Sequence, residues 1–223
     1  MTFAQLVFHP WILWLTGAIS LLMLTLAGAQ RPWRELLGSS GLQHRWMAAC
    51  LAVVLMWQLR AQAVDWLTLH LVFTALLTLI FKVPLALAIN LIVNLAMVAI
   101  GKVAWPLLGI NILMSGVVPA LVVVVIWRLV DRFLPDSLPV YVFVCGFFGP
   151  ALATLASGLT GVVLVGLGAN DSQAWFLVQE YALFLPLLMP SEAFITGMLL
   201  SILVVYHPEW VATFNSHRYI DTK

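Results

Sequence analysis

Residues 66–101 read WLTLHLVFTALLTLIFKVPLALAINLIVNLAMVAIG, thirty-odd apolar residues with a single charge, Lys82, near the middle. A bilayer-spanning helix needs about 20 residues, so the stretch is too long for one crossing. Lys82-Val83-Pro84 puts a charge and a proline where a turn would fall, and spans are expected at 66–81 and 84–101. The same pattern recurs along the chain. Further apolar runs lie at 11–29, 46–64, 110–130, 140–167 and 175–206, with bends expected at Gly149-Pro150, Pro186 and Pro190. Charged residues make up only 9% of the chain, hydrophobic ones 63%, and the mean hydropathy is +1.07. A soluble core cannot hide that much apolar surface. The expected fold is therefore an all-α, polytopic membrane bundle of about seven helices, forming one integral domain over residues 1–223.

Basic residues orient the bundle. Arg31, Arg34 and Arg45 follow the first run, Lys82 parts the third from the fourth, Arg128 and Arg132 end the fifth, and Arg218 and Lys223 are in the tail. If crossings alternate, these share one face, which the positive-inside rule makes cytoplasmic. Lys102 falls on the other face, and Arg60 lies toward it. The N-terminus is expected outside and the C-terminus inside, in the inner membrane. The net charge of +1 gives no reason to expect nucleic-acid binding. Cys50 and Cys145 lie within apolar runs and read as buried free thiols. No cleavable signal peptide is expected, because no Lys or Arg precedes the first run. The sequence has no phosphate-binding GxxxxGK[ST] loop and no nucleophile–base pair, which argues against an ATPase or another enzyme.

Polar groups inside hydrocarbon are costly and mark candidate sites. His70 falls in the outer half of the third run, near Asp65, and reads either as a metal ligand or as a histidine bonded to a neighbouring helix. Glu192 follows Pro190 at mid-depth, where a buried hydrogen bond is favoured over ligand contact; Glu180 lies nearer the outer surface. Asn90 and Asn94 share a helix face and suit interhelical hydrogen bonds. Asn111 opens the fifth run, after an irregular Lys102–Leu108 stretch expected to line an outer cavity. Ala153, Ser157 and Gly161 form a small-residue ridge for close helix packing. Trp11, Trp46, Trp66, Trp105 and Trp175 fall near run ends and read as interfacial belts.

His70-Leu71-Val72, Leu108-Gly109-Ile110-Asn111 with Gly116-Val117-Val118, and Glu192 ahead of Ile195-Thr196-Gly197 with the closing His207-Pro208-Glu209 are collinear over residues 10–212. In this order and spacing the chain resembles the CbiM/NikM-type cobalt/nickel membrane proteins. These are substrate-capture subunits of energy-coupling-factor (ECF) transporters. The resemblance implies about seven spans with an outside N-terminus and an N-terminal segment folded into the outer cavity. It implies Co2+ or Ni2+ as transported substrate, with no permanently bound cofactor. It implies as partners a transmembrane coupling protein and two cytoplasmic ATPase subunits. Its nitrogen ligands are a terminal amine, a second-position His and the third-span His. Here that leaves the amine of Met1 and His70, because residue 2 is Thr2; His9 is the nearby substitute. The family's Gly-Asp-Gly-Gly loop is Gly101-Lys102-Val103-Ala104, and Met114 stands where a further Asn is common. The readings are a transition-metal transport subunit, a non-transporting scaffold or assembly factor on the same fold, and a subunit for an organic micronutrient.

Overall fold

The computed structural model describes residues 2–4, 6, 8–64, 67–168, 174–215 and 219. Helix α1 covers Pro10–Ala29, with proline at its first turn, where no amide is needed. A short α2, Pro32–Gly38, leads into α3, Ser40–Met56, which Ser39 caps by accepting from the Leu42 amide. Three short strands are described: β1, Thr2–Phe3, ahead of α1, and β2, Ala61–Val64, and β3, Leu67–Leu69, after α3. They pair antiparallel in the order β1-β3-β2, with Thr2 opposite Thr68. The remaining helices are α4, Thr74–Ala99; α5, Trp105–Phe133; α6, Leu138–Gly168; and α7, Ala174–Tyr206. Among the described residues five helices are long and apolar enough to cross a membrane: α1, α4, α5, α6 and the 176–206 part of α7. With them, the protein is a multi-pass helical membrane protein.

The fold is consistent with the expected all-α membrane bundle, and two expectations are corrected in extent, because parts of the second and third apolar runs form the small sheet. The run at 46–64 stops being helical after Met56, so Arg60 lies in the turn before β2. The run at 66–81 becomes helical only at Thr74. The physical reason is local. Leu67, Thr68 and Leu69 are all buried, and the sheet satisfies their backbone where a helix would leave the N-terminal segment unpaired. Asp65 and Trp66 lie outside the described residues.

Lys82 breaks α4, with φ 62° and ψ 169°. The break reverses the chain. The Asn90 side-chain amide reaches Thr74 Oγ1 at 3.4 Å across 16 residues, which a straight helix would hold about 24 Å apart. A descending arm, 74–81, and a return arm, 83–99, therefore lie side by side. Trp46 donates to the Leu85 carbonyl and Gln58 to Met97 Sδ, so α3 and the return arm run in the same direction. The descending arm carries the chain back between them. At its far end the residues after α7 fold beneath it. The Ala212 and Thr213 amides donate to the Ile80 and Leu79 carbonyls, and the Thr213 hydroxyl to Leu79 O at 2.8 Å. These are carbonyls that the break at Lys82 leaves without helical partners.

Candidate functional site

The site is built where the first residues of the chain enter one end of the bundle. Asn111 holds them there. Its side chain is fully buried; Oδ1 accepts from the Phe3 amide and Nδ2 donates to the Phe3 carbonyl, both at 2.9 Å. One carboxamide thus satisfies both backbone groups of Phe3. The Ala104 amide adds a bond to Ala4 O at 3.2 Å, so the Lys102–Leu108 stretch packs against the N-terminal segment. Asn111 can stand so close because α1 and α5 touch backbone to backbone. A Cβ on Gly109 would come within 2.7 Å of Gly17 Cα, and Ser20 donates to the Gly109 carbonyl at 2.8 Å.

This seating puts Thr2 on His70. Thr2 Oγ1 lies 3.0 Å from His70 Nε2 and 3.0 Å from Thr68 Oγ1, with all three side chains buried. His70 Nδ1 is 3.2 Å from the Leu71 carbonyl, which can only accept, so the ring proton belongs on Nδ1. Nε2 then carries the lone pair, and the Thr2 hydroxyl donates to it. His70 immediately follows β3, and its ring is buried. A neutral imidazole is the form that binds metals. The indole of Trp57 packs against its ring, with centroids 4.1 Å apart.

Glu192 reaches the same loop from α7. It is buried, and its carboxylate accepts from the amides of Val72 and Phe73, immediately before α4. Phe73 itself has positive φ and supplies no side-chain cap. Glu192 therefore caps the descending arm from across the bundle and fixes the loop that carries His70. Below, a polar ladder locks the arms to α5. Asn90 and Asn94 donate to Ser115 Oγ at 3.0 and 3.2 Å, Ser115 donates to Asn111 O at 2.6 Å, and Thr74 donates to Ser115 O at 2.5 Å. Residues Leu113–Val117 form a π-helical turn at this level, a distortion frequent at functional sites.

The other sequence candidates lie elsewhere. His9 is exposed at the start of α1, its amide bonded to the Gly168 carbonyl. Glu180 is half-buried on α7. Met1 and Asp65 lie outside the described residues. Ala153, Ser157 and Gly161 face inward on α6: Ser157 donates to the Met114 carbonyl, and a Cβ on Gly161 would stand 2.4 Å from the Tyr181 hydroxyl. Cys50 and Cys145 are free thiols. Among the described residues no three His, Cys, Asp or Glu side chains are grouped to hold a metal ion. Thr68, Trp57 and Ser115 did not stand out in the sequence, and Thr2 did so only as the residue at the second position, where the resembled family has a His. The paired threonines at positions 2 and 68 carry no motif, and only strand pairing brings them together.

The fold and site define a multi-pass membrane protein whose own first residues are folded back against a buried, neutral histidine. The model of one family, the cobalt uptake substrate-specific transmembrane region (CbiM), matches residues 3–210. The chain belongs to that family and is a membrane transport component of a kind that is not enzymatic. Comparison with curated proteins and with solved structures returned no match.

Proposed function

We propose that this chain captures a transition-metal ion at the outer face of the inner membrane, as the substrate-binding subunit of an ECF-type ABC transporter. In this reading it crosses seven times, with the N-terminus outside. The third crossing is part extended and part helical, from β3 down to Phe81. A transmembrane coupling protein and two ATPase subunits supply the energy, because the chain has no nucleotide loop of its own. Cobalt or nickel is the cargo, held by His70 Nε2 with help from the N-terminal segment.

One observation carries the reading: residue 2 lies 3.0 Å from His70 Nε2, in a seat made by Asn111. The seat joins the chain's own terminus to a lone-pair nitrogen. The residue in that seat is Thr2, and its hydroxyl occupies the lone pair that a metal would take. A neutral hydroxyl is a poorer donor than imidazole for late transition metals, so binding is expected to be weaker than a full nitrogen square would give.

This same observation favours a second reading, a non-transporting scaffold that keeps the seat and lacks the site. Titration of Co2+, Ni2+, Cu2+ and Zn2+ into purified wild type, His70→Ala and His9→Ala separates them. Binding to the wild type that His70→Ala abolishes supports capture. Equal binding by the wild type and His70→Ala removes His70 from the site. No binding by the wild type favours the scaffold. An organic micronutrient as cargo would give the same negative result together with uptake.

A further inference from the structure

At the end of the bundle opposite His70, a groove of about 500 Å³ opens between the inner end of α1, the tip of the α4 hairpin and α5. Its walls are apolar, formed by Met23, Leu26, Leu87, Leu121 and Val124. Its rim is polar, with the cations of Lys82 and Arg128, the carboxylate of Glu35 and the amide of Gln30. Lys82 stands at the hairpin tip with φ 62°, a backbone region that favours glycine. A lysine kept at that strained position, on the rim of a groove, points to a role for its charge.

We propose that this groove binds one anionic phospholipid, with its phosphate at Lys82 and Arg128 and its acyl chains against the apolar walls. Two features select that occupant. Two cations against one carboxylate leave the rim net positive, which suits an anionic headgroup over a zwitterionic one. Apolar walls at membrane level suit acyl chains and exclude a wholly polar solute such as free phosphate.

The test is retention of lipid by the purified full-length chain from mixed vesicles of phosphatidylglycerol and phosphatidylcholine, read by native mass spectrometry. The wild type is expected to retain phosphatidylglycerol at one per chain. Loss of either cation, Lys82→Ala or Arg128→Ala, should weaken that preference about fivefold, and the double variant more. Lys102→Ala, at the opposite end, should leave it unchanged. Val124→Trp should fill the groove and displace the lipid while both cations remain. Equal retention of phosphatidylcholine, or phosphatidylglycerol that survives both the double variant and Val124→Trp, overturns the assignment. Displacement of the lipid by inorganic phosphate alone would make this a soluble-anion site, and overturns it as well. A photoreactive residue at position 124 should cross-link to phospholipid; a protein adduct in native membranes would assign the groove to a partner helix instead.

Discussion

Asn111→Ala should unseat the N-terminus and leave the helices standing. The substitution removes the two 2.9 Å bonds to Phe3 and leaves a buried amide and a buried carbonyl without partners. Each such group costs about 1–3 kcal/mol, so the seated arrangement loses roughly 2–6 kcal/mol. The bond from Ser115 survives, because it uses the Asn111 backbone carbonyl. The polar ladder therefore persists, and the loss falls on the N-terminal segment. Each 1.4 kcal/mol is about tenfold, so the open population should rise at least about 30-fold. Hydrogen exchange measures this directly. Segments 2–9 and 67–71 should both lose protection, because opening β1 also uncovers β3, while α5 and α6 keep theirs. Where a metal binds the wild type, its apparent affinity should fall by the same opened fraction. If a folded Asn111→Ala keeps the exchange protection of both segments within about 0.5 kcal/mol, a few-fold change at most, then Asn111 does not hold the terminus and the proposed site loses its geometric basis.

Gly109→Ala should destabilise the bundle by about 1–3 kcal/mol, since its Cβ would meet the backbone of Gly17 at 2.7 Å, while Gly28→Ala, in open space, should be close to neutral; thermal unfolding in detergent compares them. Glu192→Ala should lower that melting point more than Glu192→Gln, because glutamine keeps an oxygen for the Val72 amide, at a difference of about 1–3 kcal/mol; equal melting would remove the capping role. A reporter fused after Lys223 should behave as cytoplasmic and one inserted within 168–173 as external; an external C-terminus would overturn the orientation.

Much of this architecture is decided by composition. Hydrocarbon cannot hydrogen-bond a backbone, so long apolar runs favour helix, and helices α1, α5, α6 and α7 lie over the runs at 11–29, 110–130, 140–167 and 175–206. The turn at Lys82 was legible for a related reason: a charge followed by a proline interrupts apolar helix at low cost only at an end. His70, Asn111 and Glu192 were legible as polar residues in apolar surroundings. Their jobs were not. Nothing local to Asn111 says that it will grip Phe3, and nothing local to Glu192 says that it will cap a helix 120 residues earlier in the chain. The sheet was equally hidden. Residues 61–64 and 67–69 adjoin apolar helices and still form strands, with 67–69 pairing on one side with the first residues of the chain and on the other with 61–64. Apolar periodicity is a local property and places elements in the bilayer; hydrogen-bond satisfaction is a property of the whole packed bundle, and only the tertiary structure decides which distant polar groups meet.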